Sequence, residues 1–470
     1  MPPEVTNTPL FRTEADYLGS VPIDAKHLYG VNTVRGLQNM SFSGRRLADE
    51  PEFVTAFAQC KWAAARANAE LGVIDADQAN AIEKACAEIV GGGLREHMVV
   101  DLMEGSGGTS TNMNMNEVIA NRAEQMLGGE PGHYARVHPN DHVNRSQSTN
   151  DVYPAAMKIA AYAMLEPLID EIACLASSLS AKATQFEAIL HLGRTCLQDA
   201  QPMTLGQAFS GYAALAERLA DALSNSRVQL LHLPLGGTAI GTGFGAPAGY
   251  RSCVFRHLRA ISGVPFAPAD NAFDAMQNLD VFSRVSSELR TCATSLAKVA
   301  SDFVLLSSGP RGGIAEIELP AVQAGSSIMP GKINPVLPIA LVQIGFAITG
   351  NDNCIAQATQ AGQLEINHFE PVVADRLFNS IRLLHNCVRL FRERCVDGLV
   401  ANAKTNERNL MASTAIATAL IPSLGYATVS TIVREAHAAG RMLIDELGRR
   451  GILDTEAARR LVHDSTNLPS

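Results

Sequence analysis

Aromatic residues make up only 5% of this chain, and tryptophan occurs once, at Trp62. A β-sandwich or barrel packs its faces with aromatic and β-branched side chains, so this scarcity argues against an all-β core. Hydrophobic residues still reach 47%, rich in Ala and Leu, a balance that suits long packed helices. Positive charge is also in deficit. The formal net charge is −9, which excludes a general affinity for nucleic acid or for anionic membrane. No uncharged apolar stretch of about 18 residues occurs, so no membrane span is expected. The start, Met1-Pro2-Pro3-Glu4-Val5, has neither the basic opening nor the apolar run of a signal peptide. The nine cysteines are dispersed, with no CxxC pair, and read as reduced thiols of a cytoplasmic protein.

What is present is helical periodicity. The 470 residues suffice for two or three domains and a large core. Residues 1–50, with many Gly, Pro, Asn and Asp, read as an extended arm. Helical patterns follow at 51–73, 76–92 and 111–127, the second stopped by Gly91-Gly92-Gly93. From 152 to 400 the apolar spacing is repeatedly helical. Over 273–308, Met276, Leu279, Phe282, Val285, Leu289, Cys292, Leu296, Val299, Phe303 and Leu306 form one stripe, the pattern of a bundle core. Further long helices are predicted over 337–360 and 369–395, apolar on all sides, which points to association of several subunits. Shorter helices are predicted at 404–419, 427–447 and 454–463. The expected fold is mainly all-α, divided as an N-terminal domain over 1–147, a central long-helix bundle over 148–401 and a small helical domain over 402–470.

The richest segment for chemistry is Gly325-Ser326-Ser327-Ile328-Met329-Pro330-Gly331-Lys332-Ile333-Asn334-Pro335. Its glycines and prolines rule out a continuous helix, so it must be a loop. Two hydroxyls, a lysine and an asparagine can converge there on a small anion. Ile328 and Met329 are out of place in an idle turn and suit a lid that packs down on a ligand.

Two further polar runs lie upstream. Gly105-Ser106-Gly107-Gly108-Thr109-Ser110-Thr111 feeds a helix whose N-terminal N–H groups can face an anion. It lacks the Gly-Lys-Ser/Thr ending of a phosphate-binding P-loop. The run His138 to Asp151 contains Ser148, Thr149 and Asn150, short uncharged donors suited to a carboxylate. His138 and His142 are four apart, but Pro139, Asn140 and Asp141 break the helix face between them, so no metal site is expected. The glycines at 241, 243 and 245 suggest a dinucleotide loop only superficially, because no strand or ribose-binding acid accompanies them. No cofactor is expected.

The 325–335 segment closely resembles the shared motif of the aspartase/fumarase superfamily. Leu28–Arg35, Gly105–Glu117, His138–Asp151, Gly193–Ala200, Gly236–Gly243 and Ala361–Asn367 resemble further segments of that family, in its order. The resemblance implies the aspartase/fumarase-like fold, a central long-helix bundle between smaller terminal domains. It also implies a homotetramer with active sites shared between subunits, acting on a small dicarboxylate or amino acid.

It implies elimination of ammonia from L-aspartate to give fumarate, through removal of the Cβ proton by Ser326 and an aci-carboxylate intermediate. Thr109, Ser148, Thr149 and Ser327 would hold the β-carboxylate. Lys332 and Asn334 would hold the α-carboxylate with help from Thr195, and Asn150 would orient the amino group. His138, Asn140 and Asp141 match a secondary anion site. The chain departs from the family at Cys196, where histidine or glutamine is usual, and at Ile339, where the histidine's glutamate partner stands. The paired loss is expected if a buried glutamate without its partner is costly. It leaves open a substituted aspartate as substrate, with a class II fumarase and a non-catalytic structural protein as further alternatives.

Overall fold

The computed structural model describes residues 11–466, and within them the chain is mainly helical. The helices are α1 (Val31–Asn39), α2 (Pro51–Glu70), α3 (Ala76–Val90), α4 (Thr109–Met126), α5 (Thr149–Gln185), α6 (Leu205–Val228), α7 (Tyr250–Ser262) and α8 (Ala272–Gln277). They continue as α9 (Asp280–Leu306), α10 (Val336–Gln360), α11 (Glu370–Phe391), α12 (Ala403–Ala412), α13 (Ala417–Leu424), α14 (Tyr426–Ala438), α15 (Leu443–Arg449) and α16 (Thr455–Thr466). Four small two-stranded sheets accompany them. They pair β1 (Phe11–Asp16) with β2 (Gly19–Asp24), β3 (Leu190–Thr195) with β4 (Gln198–Thr204), β5 (His232–Leu233) with β6 (Ala267–Pro268), and β7 (Ile317–Glu318) with β8 (Val400–Ala401). Only the β5–β6 pair is parallel. No helix among the described residues is long and apolar enough to cross a membrane.

The mainly helical expectation holds, while several boundaries differ for local reasons. The N-terminal arm carries the β1–β2 hairpin, packed through Val21 and Ile23 against Val31 of α1. The predicted helix over 273–308 is broken at Asn278, whose backbone is extended and whose side chain turns back to Asp274 Oδ1 at 2.7 Å. The predicted helix over 427–447 stops at Ala439-Gly440, where Arg441 N–H donates to Ala436 O at 2.9 Å. That over 404–419 is interrupted by the extended Ser413, which caps Ala415 and bonds Asp199 Oδ2 at 2.6 Å.

Contacts divide the chain into two compact units. One comprises 1–168, 222–291 and 347–383, the other 169–221, 292–346 and 384–470. The boundaries fall inside α5, α6, α9, α10 and α11, so each of these long helices contributes to both cores. The scarce aromatics are concentrated accordingly. In the first unit Phe53 meets Phe57, Tyr153 and Phe378 at ring separations of 5.0, 5.2 and 5.2 Å. In the second Phe209 meets Phe186 and Phe303 at 5.2 and 5.5 Å. These rings are buried, and their edge-to-face and tilted contacts add to their area burial.

In the second unit the β3–β4 hairpin rests on the C-terminal helices. Leu192 joins Leu410, Ile432, Leu447 and Val462 in one apolar cluster. A buried carboxylate locks the arrangement. Glu316 accepts two bonds from Arg194 of β3 (2.8 and 2.7 Å) and one from Asn409 Nδ2 of α12 (2.9 Å). Asn406 of the same helix bonds His191 Nδ1 at 2.8 Å and the Glu316 carbonyl at 2.7 Å. Removing one partner of a buried ion pair leaves the other charge uncompensated. Glu316→Ala is therefore expected to cost about 3 kcal/mol of stability, read as a lower urea midpoint; an unchanged midpoint would contradict this role.

Candidate active site

The first unit gathers Thr109, Ser148, Thr149 and Asn150, whereas Thr195, Cys196, Ser326, Ser327, Lys332 and Asn334 belong to the second. In the first, the two upstream polar runs are joined side chain to side chain. Asn112 Nδ2 donates to Thr149 Oγ1 at 2.9 Å and to Asn144 Oδ1 at 3.2 Å. Asn144 Oδ1 also accepts from Lys61 Nζ at 2.9 Å and Asn116 Nδ2 at 3.2 Å. Gly108, with φ +89°, begins α4 against the ring of Tyr153, where an added Cβ would come within 2.2 Å of a ring carbon.

The N-terminus of α4 is not open to an outside anion in the way its glycine-rich approach suggests. Glu104 occupies it, accepting from Ser110 N (2.8 Å), Thr111 N (3.2 Å) and Thr111 Oγ1 (2.6 Å). Ser110 and Thr111 are buried in that cap, while Thr109 is exposed and its hydroxyl makes no hydrogen bond among the described residues. Glu117, further along α4, is likewise bound from within. Its carboxylate accepts from Gly30 N, Asn32 N and Thr33 N, at 2.7, 2.8 and 3.1 Å, at the start of α1. Burial pushes its pKa up, and these donors pull against that. The Leu28–Arg35 segment is thus docked onto α4 by a carboxylate bound at the N-terminus of α1.

Ser148 caps α5. Its Oγ accepts from Asn150 N at 3.2 Å, and its N–H donates to Asp151 Oδ1 at 2.9 Å. Asp151 is fully buried, and its other oxygen accepts from Gly236 N (2.9 Å) and Thr238 N (3.1 Å), while Asn150 Nδ2 donates to Ala239 O at 2.8 Å. This acid ties the Ser148–Asn150 trio to the Gly236–Gly243 loop. Burial pushes its pKa up to about 6 against its three backbone donors and Lys61. Burial also drives Lys61 down to about 7, with Asp151 opposing. Asp151 was not singled out from sequence, although Ser148-x-x-Asp151 before an apolar run has the form of a capping box. Nothing in sequence marks Glu104, Lys61 or Asn144.

In the second unit the 325–335 loop is closed at its base. Gly325 N–H donates to Lys332 O at 2.9 Å, and Asn334 Nδ2 donates to Gly325 O. A Cβ at Gly325 would meet Lys332 O at 2.3 Å, which makes this strand-like approach a glycine requirement. Ser326 Oγ accepts from two backbone donors, Ile328 N at 3.2 Å and Met329 N at 3.0 Å. Ser327 and Lys332 are exposed, and the Lys332 ammonium has no hydrogen bond or ion pair among the described residues. Ile328 is 83% exposed and Met329 48%.

Thr195 ends β3, and Cys196 and Leu197 form the two-residue turn to β4, with φ of 53° and 61°. Both angles are positive, the pattern of a type I′ turn that Asn-Gly would adopt at less cost. Cys196 is exposed, as are Thr195 and Ile339. Ile339 is 40% exposed in the first turn of α10. The cost of a buried, unpartnered glutamate therefore does not explain Ile339 within one chain. His138 and His142 serve the loop between α4 and α5. His138 Nδ1 accepts from Asn140 N (3.2 Å) and Asp141 N (3.3 Å), and His142 Nδ1 accepts from His138 N (2.8 Å).

Comparison with known proteins agrees with this architecture. Residues 19–350 match the family described as Lyase. The chain is 44% identical over 445 residues to an aspartate ammonia-lyase of Helicobacter pylori, covering 95% of each chain. A Brucella melitensis fumarate lyase:delta crystallin, solved bound to cobalt, superposes with a TM-score of 0.94 at 40% identity, covering 97% of this chain and 100% of that one. A class II fumarase of Schistosoma mansoni superposes with a TM-score of 0.91 at 32% identity, covering 97% and 99%. The protein belongs to the aspartase/fumarase superfamily of lyases.

One substitution checks the anchoring of the Ser148–Asn150 trio. Asp151→Asn keeps the shape but turns an amide N–H₂ toward backbone N–H donors, leaving at least one buried donor unmet. A loss of about 2 kcal/mol is expected, with faster amide exchange over 234–240. Wild-type stability and exchange in this variant would contradict the anchor.

Proposed function

We propose that the protein eliminates ammonia from L-aspartate to give fumarate, with Ser326 as the base that takes the Cβ proton. The observation that carries this reading is the pair of backbone N–H groups on Ser326 Oγ. A serine hydroxyl is a poor base, and two fixed donors favour its alkoxide. The exposed Lys332 ammonium supplies positive charge to the same loop.

Transfer of the Cβ proton to the alkoxide leaves an electron pair that delocalises onto the β-carboxylate. The resulting dianionic aci-carboxylate is bound by Thr109, Ser148, Thr149 and Ser327. Ser148 and Thr149 each accept an N–H inside the protein, so each retains its O–H to donate outward. Donors fixed in advance where charge develops are each worth roughly 10²–10³ in rate. Collapse of the intermediate forms the double bond and breaks the Cα–N bond, with Asn150 orienting the departing amine. Lys332 and Asn334 hold the α-carboxylate with Thr195. Asn334 has one amide hydrogen left after closing the loop on Gly325. Cys196 lines the same end in place of a charged or amide side chain. Closure of Ile328 and Met329 over the ligand would exclude water and strengthen each of these interactions.

Ser326→Ala is expected to lower kcat by roughly 10²–10⁴-fold with unchanged circular dichroism and assembly, and near-normal turnover would remove Ser326 from this role. Fumarate absorbance after incubation with L-aspartate, L-malate and N-substituted aspartates discriminates the substrate. The names of the relatives, together with Thr109-Ser110, Asp141-His142, Ser148-Thr149-Asn150 and Gly362-Gln363-Leu364-Glu365, favour L-aspartate. Cys196 and Ile339 specifically favour a substituted aspartate as the second reading. Fumarate from malate alone would make the protein a hydratase, and none from any substrate would leave a structural role.

We also propose a homotetramer in which different subunits complete each site. This is supported by α10, where Asp352 is the sole acidic or basic residue. Leu341, Ile348 and Ile355 are buried on one face, while Phe346 is 71% exposed on another. An exposed apolar face on so apolar a helix needs a partner. Phe346→Glu is expected to shift sedimentation toward smaller species and to lower activity in parallel; an intact tetramer in that variant would refute the interface. A reducing, cytoplasmic setting suits nine cysteines that are all free.

A further inference from the structure

The end of α2 and one face of α7 carry a cluster that takes no part in the chemistry above. Glu70 is the last residue of α2, and Cys253 and His257 lie four apart on α7, hence on one face of it. Glu70 Oε2 is 3.0 Å from His257 Nε2, and a carboxylate oxygen, the Cys253 sulfur and an imidazole nitrogen all fall within 4.8 Å of one another. No other group of three such side chains among the described residues is close enough to share an ion. A cation already sits there. Arg256 Nη2 pairs with Glu70 Oε1 and lies 3.2 Å from Cys253 Sγ. Its side chain is 56% exposed, and on leaving for water it releases both the Glu70 carboxylate and the buried Cys253 sulfur for the ion to take.

We propose that Glu70, Cys253 and His257 form a binding site for zinc or a similar borderline-soft divalent cation, with Arg256 as its competing occupant. Thiolate and imidazole ligands select such ions over magnesium and calcium, which take oxygen. Tetrahedral coordination at zinc's usual bond lengths separates ligand atoms by roughly 3.4–3.7 Å. Three protein ligands leave the fourth position to water.

Binding breaks the Cys253 S–H bond, passes its proton to solvent and forms the metal–sulfur bond. Burial pushes the Cys253 thiol pKa up, and a bound dication reverses that preference. The ion would fasten the end of α2 to α7 as a structural staple.

The test is titration of the metal-free full-length protein with cobalt(II), followed by absorption. One thiolate-to-cobalt charge-transfer band is expected, saturating at one ion per chain and displaced by zinc. It is absent in Cys253→Ser and in His257→Gln, two variants that each decide the matter if the other fails to fold. Arg256→Gln binds cobalt several-fold more tightly, because the competing guanidinium is gone, whereas a purely structural ion pair predicts no gain. Zinc raises the melting temperature of the wild type and not of His257→Gln. No thiolate band, or a band that persists in Cys253→Ser and so comes from the exposed Cys174 or Cys196, overturns the site. Unchanged affinity in Arg256→Gln overturns the shared seat.

Discussion

The carboxylate of Asp151 is the constraint on which half of the proposed site depends. It lies at the start of the longest helix, with no exposed surface, and holds backbone N–H groups from two separate segments. A buried charge survives only where donors replace water. Here those donors belong to Ser148, which caps the same helix, and to the turn at Gly236 and Thr238. The positions of Ser148, Thr149 and Asn150 therefore follow from how one acid is satisfied. Lys61, itself buried, supplies compensating charge through the surrounding field rather than through a direct bond.

The same solution recurs. Glu104 fills the N-terminus of α4, Glu117 that of α1, and Glu316 pins the β3–β4 hairpin to α12. An acidic chain that must receive a dianion faces a general repulsion. Part of its negative charge is spent internally, against helix N-termini and one guanidinium, where it cannot oppose a ligand at full strength. In the proposed reaction Thr109, Ser148, Thr149 and Ser327 then meet the substrate as neutral donors. Lys332, which has no ion pair among the described residues, is the positive charge that the proposed site would use.

Periodicity proved reliable where helices are long and apolar on one stripe, as in α2, α3, α10 and α11. It overran at Asn278, at Ser413 and at Ala439-Gly440. There, hydrogen bonds outweigh the helical pattern: local ones to Asp274 and Ala436 O, and a long-range one from Ser413 to Asp199. The loop over 325–335 was readable because glycine, proline and paired hydroxyls leave little else for it to be. The two backbone donors on Ser326 Oγ were not readable. They depend on how Ile328 and Met329 turn after the serine. The glycine-rich approach to α4 suggests a terminus open to a ligand anion, yet the N–H groups of Ser110 and Thr111 are taken by the chain's own Glu104, six residues before Ser110.

Composition and spacing by themselves determined that the chain is mainly helical, and the resemblance of a few polar runs to those of one family, in its order, identified the superfamily. Such features are local, since a breaker, a cap or an apolar period acts over a handful of residues. Tertiary structure alone decided which polar groups are consumed by the fold and which remain for a ligand. It also decided that Glu70, Cys253 and His257 meet, although 183 and 187 residues separate Glu70 from the other two. Whether a donor is spent or free depends on what packs against it from distant sequence, and that information appears only once the helices are assembled.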